Sequence, residues 1–319
     1  MAATPPSPGP QPGKNSDAGG ANETMGDSAK TAFVLPGGAS LGAVQAGMLR
    51  ALYERGIEPD LIVGTSVGAL NGSFVASRPP TVATARALED LWCSIDRGNV
   101  FPFNPLTGFF GFLGARDHLV PDRPLRRLVS EHLELRRLED SPVPLHVIAT
   151  DLLSGVELRL SSGNALEAVM ASAAIPGIFP AVEHEGRLLV DGGVANNAPI
   201  ADAIELGAER LYVLPTGNAC DLTEPPRGAV AMILHAMSLL VMRRLLVEIE
   251  TLRDRAELIV LPPPCPLAVQ PYDFAHSDEL IRSGYEDSRN YLDALEAGSA
   301  PVPLAMRMHA HEHPPATPA

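Results

Sequence analysis

The sequence is poor in cysteine, which limits the covalent and metal-based ways in which it could be stabilised. Of 319 residues only three are cysteine, Cys93, Cys220 and Cys265, and no two of them have the C-x-x-C spacing. This pattern argues against a disulfide framework and against a structural zinc site. We therefore expect an intracellular, cytoplasmic protein that needs no metal or other cofactor.

Basic residues are also scarce relative to acidic ones. The chain has 24 Lys and Arg against 38 Asp and Glu, which gives a net charge of −14 at pH 7. This balance disfavours nucleic acid and strongly anionic membrane surfaces as partners. The longest apolar run, "AVAMILHAMSLLVM", is too short to cross a bilayer. Any membrane contact is therefore expected to be transient and to use apolar surface patches.

The two ends of the chain lack the apolar content of a folded core. Residues 1–30 contain neither a basic n-region nor an apolar h-region, so they predict no signal peptide or membrane anchor. We expect a disordered arm over 1–30, one domain over 31–296 and a flexible tail over 297–319. The tail contains the run "HAHEH" at 309–313, which we interpret as incidental because nothing around it would form a second shell for a metal.

What the middle of the chain does contain is a regular alternation of short apolar runs and longer periodic ones. "TAFVL" precedes the turn "PGGASLG" and the helical segment "AVQAGMLRALYERG", and "DLIVG" precedes the turn "TSVG" and the helical segment "ALNGSFVAS". Two successive strand–turn–helix units predict a largely parallel sheet with helices on both faces. The predicted fold class is therefore α/β, with three layers in the order α/β/α.

The turn "GTSVG" places Ser66 between Gly64 and Gly68, after a predicted strand and before a predicted helix. Two glycines there let the strand and helix approach closely, so that a serine nucleophile would sit on a sharp turn. A serine that caps the helix N-terminus is the alternative. The loop 37–42, "GGASLG", opens the preceding helix, and its amides could stabilise an oxyanion. It fits neither a P-loop nor a dinucleotide fingerprint, because Ala39, Ala43 and Val44 break those patterns.

A carboxylate is the best candidate for the base that would activate this serine. "LLVDGGVANNAP" sets Asp191 at the end of a predicted buried strand, followed by Gly192 and Gly193. In an open α/β sheet, ligands bind at the carboxyl ends of the strands. An aspartate that caps its own turn is the alternative. Asp151, Asn196 and Asn197 are interpreted as structural residues.

At this point the chain resembles the patatin-like phospholipase family. The resemblance is carried, in order, by "PGGASLGAVQAGML", "GTSVG", "ATDLLSG", "ASAAIPGIFP" and "DGGVANNAP". It implies a Ser-Asp dyad without histidine, with Ser66 as the nucleophile and Asp191 as the base. It also implies an oxyanion hole formed by the amides of Gly37, Gly38 and Ala39, with Gly42, Gly64, Gly68, Gly192 and Gly193 as motif glycines.

One difference from the family concerns the oxyanion loop. Many bacterial relatives carry a third glycine and an arginine there, where this chain has Ala39 and Leu41. The difference affects the geometry and charge of the hole. It therefore keeps open the alternative of a module with weakened activity that acts in regulation or interaction.

The resemblance implies hydrolysis of lipid acyl esters through an acyl-enzyme, with a lipid as the partner and no cofactor. Transfer of the acyl group to an alcohol by the same dyad is an alternative. A Ser-His-Asp hydrolase is another, with His235 or His276 as the base. The stretch 101–112 contains five of the nine phenylalanines, and it is expected to be either a lid over the acyl chain or a satellite hydrophobic cluster.

Overall fold

The computed structural model describes residues 29–100, 117–222 and 224–300, together with Arg307 and His311. Residues 1–28 of the predicted arm, the phenylalanine-rich stretch 101–112 and most of the predicted tail at 297–319 lie outside the described residues. Within the described ranges, no helix is both long and apolar enough to span a bilayer.

The centre of the molecule is a single sheet in which the strands follow the order β5-β6-β3-β2-β1-β7-β8, with β4 also paired to β3. Strands β3, β2, β1, β7 and β8 are parallel to one another, whereas β4 and β6 are antiparallel to β3, and β5 is antiparallel to β6. The strands are β1 Thr31–Leu35, β2 Leu61–Thr65, β3 Leu145–Asp151, β4 Glu157–Leu160, β5 Val182–His184, β6 Arg187–Asp191, β7 Arg210–Val213 and β8 Glu257–Val260.

Helices cover both faces of this sheet. They are α1 Ala43–Tyr53, α2 Val67–Ala76, α3 Val82–Ser94, α4 Arg97–Val100, α5 Arg123–His132, α6 Ala165–Ser172, α7 Ile200–Glu205, α8 Ala229–Leu252 and α9 Ser277–Glu296. Apolar residues of α1, α2, α3, α4, α5, α6 and α9, together with Leu234 of α8, belong to one core cluster. Those of α7, with Met242, Leu245 and Leu252 of α8, belong to a second.

The alternation of side chains along β1 shows how the two cores form. Phe33 and Leu35 belong to the first cluster, and Ala32 and Val34 belong to the second. All four are fully buried, as expected for a strand whose two faces are both covered by helices. The predicted three-layer α/β/α fold with a mostly parallel sheet is confirmed.

The direction of β6 differs from the sequence-based expectation. From the sequence, Asp191 is expected at the carboxyl end of a strand parallel to its neighbours, but β6 is antiparallel to β3. It therefore approaches the site from the opposite direction. The strand register still places Asp191 near Ser66. Asp191 pairs with Ala149 of β3, and the preceding residue of β3, Ile148, pairs with Thr65, which directly precedes Ser66.

Candidate active site

Ser66 occupies a strained turn between β2 and α2. Its backbone has φ 54° and ψ −123°, a combination that costs a non-glycine residue on the order of 1–3 kcal/mol. The two flanking glycines make this turn sterically feasible. A Cβ atom at Gly68 would lie 1.8 Å from the carbonyl oxygen of Leu35, and one at Gly64 would lie 2.6 Å from that of Gly68. The close packing of helix α2 on the sheet thus depends on the absence of side chains at these positions.

A buried serine on α6 holds the turn in place. The backbone N–H of Ser66 donates to Oγ of Ser172 at 2.8 Å, and that hydroxyl donates to the carbonyl oxygen of Ile148 at 2.5 Å. Ser172 thereby links the turn to β3. The sequence analysis did not identify Ser172, although it lies within the family motif "ASAAIPGIFP".

The side chains of Ser66 and Asp191 are in direct contact. Oγ of Ser66 donates a hydrogen bond to Oδ2 of Asp191 at 2.6 Å, and the two residues are only 7% and 6% exposed. Ser66 is the N-cap residue of α2, but its side chain makes no capping hydrogen bond. The serine hydroxyl is thus oriented toward a carboxylate rather than toward the helix backbone.

Asp191 is held by its own turn and is strongly desolvated. Its Oδ1 accepts from the amide of Gly193 at 2.7 Å, and Thr150 Oγ1 donates to its backbone carbonyl at 2.9 Å. Burial raises the pKa of Asp191 from 3.8 to about 6, although the hydrogen bonds from Ser66 and Gly193 act in the opposite direction. Such a carboxylate is largely ionised at pH 7 and accepts a proton more readily than an exposed one.

Glycine is required after Asp191 as well. A Cβ atom at Gly192 would lie 2.2 Å from the carbonyl oxygen of Ile148, and one at Gly193 would lie 2.9 Å from Oδ1 of Asn197. Gly64, Gly68 and Gly192 thus allow close contact between backbone segments around the site. Gly193 and Gly42 instead leave room for neighbouring side chains, since a Cβ at Gly42 would lie 2.3 Å from Cγ2 of Val67.

The loop after β1 lies directly against Ser66. A Cβ atom at Gly37 would lie 2.9 Å from Cβ of Ser66. The carbonyl oxygen of Gly37 accepts from Thr216 Oγ1 at 3.0 Å and from Asn197 Nδ2 at 3.4 Å. In a trans peptide the C=O and the following N–H point in opposite directions, so these two bonds also fix the direction of the Gly38 amide.

Three consecutive amides in this loop are available to a ligand. In the described part of the chain, the N–H groups of Gly37, Gly38 and Ala39 donate no hydrogen bond, whereas the amide of Ser40 donates to the carbonyl oxygen of Pro271 at 3.0 Å. Ala39 has φ 50°, a left-handed conformation that favours glycine. Position 39 of this loop thus has an alanine in a backbone conformation that a glycine would adopt with less strain.

An apolar cleft opens beside Ser66. It encloses about 820 Å³ of empty volume, part of it open to solvent, and its walls include Ala39 and Ser66. The remaining lining is mostly apolar and comes largely from α2, α3 and α5, with Leu70, Phe74, Leu88, Leu91, Leu125, Leu128 and Val129 among its residues. This is the shape and polarity of a site for a hydrocarbon chain.

No histidine in the described ranges hydrogen-bonds to Ser66. His276 contacts Glu279 through Nδ1 at 3.3 Å, and His146 contacts Ser161 at 2.7 Å. His132 lines the apolar cleft. Neither His235 nor His276 hydrogen-bonds to Ser66 or to Asp191, whose carboxylate accepts from Ser66 and Gly193 instead.

The residues interpreted as structural make contacts of that kind. Asp151 accepts from the amides of Leu153 and Ser154 at 3.0 and 2.9 Å in the turn after β3, and these bonds, with Ser154 contributing most, lower its pKa. Asn196 donates to Asp202 at 3.2 Å. Asn197 and Thr216 hold the loop 37–42 through the carbonyl oxygen of Gly37. No local sequence pattern marks Thr216.

Three proteins similar to this chain are much longer than it. It is 30% identical over 192 residues to patatin-like phospholipase domain-containing protein 7 of Mus musculus, covering 59% of this chain and 14% of that protein. It is 33% identical over 196 residues to the putative patatin-like phospholipase domain-containing protein M110.7 of Caenorhabditis elegans, covering 60% and 17%. For lysophospholipase NTE1 of Mycosarcoma maydis the values are 29% over 200 residues, covering 61% and 10%.

The chain thus spans less than a fifth of the length of each of these relatives. A family model described as patatin-like phospholipase matches residues 33–204. This range is more than half of the chain and includes Phe33–Leu35 of β1, the loop 37–42, Ser66 and Asp191. The protein therefore belongs to the patatin-like phospholipase family.

Proposed function

We propose that the protein hydrolyses acyl esters of lipids, with Ser66 as the nucleophile and Asp191 as its base. The observation that carries this proposal is the 2.6 Å hydrogen bond between the two side chains at the edge of an apolar cleft. The name lysophospholipase, which one of the relatives carries, supports a lipid ester as the substrate class.

In the first half-reaction, Oγ of Ser66 attacks the ester carbonyl carbon and Asp191 takes the hydroxyl proton. The carbonyl oxygen becomes an oxyanion, which the amides of Gly37, Gly38 and Ala39 stabilise. As the tetrahedral intermediate collapses, the C–O bond to the alcohol breaks and the alcohol leaves with the proton from Asp191. The acyl group remains on Ser66 as an ester.

In the second half-reaction, Asp191 takes a proton from a water molecule that attacks the acyl-enzyme. The second tetrahedral intermediate collapses, Ser66 regains its proton from Asp191, and the fatty acid is released. Throughout both steps the acyl chain lies in the apolar cleft. Each methylene buried there contributes about 0.8 kcal/mol to binding.

The decisive experiment compares Ser66→Ala and Asp191→Asn with the unaltered protein on lysophospholipid and on p-nitrophenyl esters. Both substitutions are nearly isosteric, so both variants should fold, and we expect kcat to fall by several orders of magnitude in each. The double variant should be no worse than either single one, because a nucleophile and its base act as a unit. The control is His276→Ala, which changes an exposed histidine outside the cleft lining and should keep most of the activity.

A folded Asp191→Asn variant with near-normal kcat would refute the dyad, and an inactive His276→Ala variant would point to that histidine as the base. Product analysis with an added lysolipid acceptor separates hydrolysis from acyl transfer. Free fatty acid is the product that we expect.

The role of the cleft is tested separately by narrowing it. Leu91 and Leu128 are half-buried on its walls, so Leu91→Trp and Leu128→Trp should lower kcat/KM for long-chain esters and leave short-chain esters nearly unchanged. The matched control is Leu240→Trp, at a position on α8 that is 67% exposed. Equal losses on short and long esters would show that the cleft does not hold the acyl chain.

A further inference from the structure

Three side chains of types that can bind transition metals lie close together, and none of them is near Ser66 or Asp191 in the sequence. Cys220 lies in the loop after β7, Cys265 in the loop after β8, and His311 near the end of the chain. Because β7 and β8 are adjacent and parallel, their following loops leave the same edge of the sheet. The amide of Asp221 donates to the carbonyl oxygen of Leu267 at 3.1 Å, which holds the two loops together.

The distances between these side chains match those of a tetrahedral zinc site. The two Sγ atoms are 3.9 Å apart, and Nε2 of His311 lies 3.5 Å from Sγ of Cys220 and 3.4 Å from Sγ of Cys265. Tetrahedral zinc, with Zn–S of about 2.3 Å and Zn–N of about 2.05 Å, separates two sulfurs by about 3.8 Å and sulfur from nitrogen by about 3.6 Å. All three residues are partly buried.

We propose that Cys220, Cys265 and His311 bind one Zn²⁺ ion, with water as the fourth ligand. Binding converts both thiols to thiolates, and the two protons go to solvent. This site departs from our sequence-based expectation of no metal and of an incidental histidine run at 309–313.

The site would join the end of the chain to loops that also support the active site. The loop after β7 contributes Thr216, which binds the carbonyl oxygen of Gly37. The loop after β8 contributes Gln270 and Pro271, whose carbonyl oxygens accept from the side chain and the amide of Ser40. A metal that fixes Cys220 and Cys265 would thus stiffen both supports of the oxyanion loop. The role that we assign to the zinc is therefore structural.

A disulfide between the two cysteines is the competing chemistry. It would require the sulfurs to move from 3.9 Å to about 2.05 Å, and it would require an oxidant. A disulfide would also give His311 no role. Zinc accounts for the positions of all three side chains and needs no redox partner.

The test uses the full chain, reduced and stripped with EDTA, and titrates it with Co²⁺ and then Zn²⁺. We expect one equivalent of Co²⁺ to produce thiolate charge-transfer and tetrahedral ligand-field absorption, and Zn²⁺ to abolish both. At a free concentration about 100 times the dissociation constant, zinc should raise Tm by roughly 5–10 °C. Bound metal should also slow tryptic cleavage after Arg307.

Matched variants separate this site from adventitious binding. Cys220→Ser, Cys265→Ser and His311→Ala should lose the cobalt spectrum and the zinc-dependent rise in Tm. Cys93→Ser, at an exposed free cysteine, and His309→Ala should keep both. If a cysteine variant fails to fold, comparing the cobalt spectra and zinc-dependent Tm of His311→Ala and His309→Ala still tests whether His311 binds the metal. The proposal would be overturned if the reduced wild-type chain showed no thiolate–cobalt bands, or if the His311→Ala variant showed the same bands as the wild type. It would also be overturned if the two cysteines readily formed a disulfide and the reduced cysteines bound no metal.

Discussion

At the scale of single residues, the desolvation of Asp191 controls how the proposed reaction depends on pH. The carboxylate must be ionised to accept the Ser66 proton, and burial raises its pKa to about 6. We therefore expect kcat/KM to fall about tenfold per pH unit below that value and to level off above it. The measurement is release of fatty acid from an uncharged ester, which avoids the titration of p-nitrophenol. An inflection near pH 4 would show that a less buried acid is the base.

The same shift in pKa makes a prediction about stability. Folding raises the pKa of Asp191 from 3.8 to about 6, so its contribution to stability is fully present below pH 4 and is lost as the pH rises through 6. The cost of ionising it in the fold is on the order of 1–3 kcal/mol at pH 8. Asparagine cannot ionise and can still accept from the Gly193 amide. We therefore expect Asp191→Asn to be the more stable protein at pH 8 in urea unfolding.

This gain in stability should shrink as the pH falls below 6 and approach zero below about pH 3, where the wild-type carboxylate is largely protonated in both folded and unfolded states. Ser66→Ala serves as a comparison, because it removes the partner hydroxyl without removing the charge. An Asp191→Asn variant that is less stable at pH 8 would mean that the ionised carboxylate is well solvated in the fold.

At the scale of elements, the packing of α2 on the sheet determines where Ser66 lies. Gly68→Ala would place a methyl group 1.8 Å from the backbone oxygen of Leu35, and backbone cannot yield as a side chain can. We expect a loss of about 3 kcal/mol in the free energy of unfolding and a large loss of kcat, although Ser66 itself is untouched. Urea unfolding and ester hydrolysis measure the two effects.

The matched control is Gly72→Ala on the same helix. A methyl group there would lie 3.1 Å from Cγ2 of Ile62 and 3.4 Å from Cδ1 of Leu145, and such side-chain methyls can shift. Alanine also favours the helix by about 1 kcal/mol over glycine, so the net change should be within about 1 kcal/mol of zero. Similar effects of the two substitutions would show that the approach of the helix to Leu35 is not a constraint.

At the scale of the whole molecule, we propose that residues 31–296 form one complete catalytic domain. The last core helix, α9, ends at Glu296, and residues 1–28 and 300–319 have compositions that add little to a core. A chain without either end should therefore fold and keep its esterase activity. In EDTA its Tm should equal that of the full chain.

With zinc present, the outcome should differ between the two truncations. Removal of 300–319 deletes His311 and should abolish the zinc-dependent rise in Tm, whereas removal of 1–28 should leave that rise unchanged. A large drop in Tm in EDTA after either truncation would mean that the deleted segment packs on the domain.

Local sequence was sufficient for the parts of the protein that depend on neighbouring residues. The apolar run from Thr31 to Leu35 and the glycines around Ser66 predict a strand and a sharp strand–helix turn, because steric and hydrophobic constraints act within a few residues. The order of the motifs was specific enough to indicate the family. Ser66 and Asp191 were singled out in this way, and their roles in catalysis remain predictions.

Only the tertiary structure decided how distant segments meet. β6 runs antiparallel to β3 and brings Asp191 to Ser66 from the direction opposite to that expected, because strand direction depends on chain connections rather than on the strand's own residues. Thr216 supports the site through one hydrogen bond and Ser172 through two, and neither leaves a periodic pattern in the sequence. Cys220, Cys265 and His311 are up to 91 residues apart in the sequence. The loops of the two cysteines come together because β7 and β8 pair in the sheet, and no sequence spacing predicts that pairing.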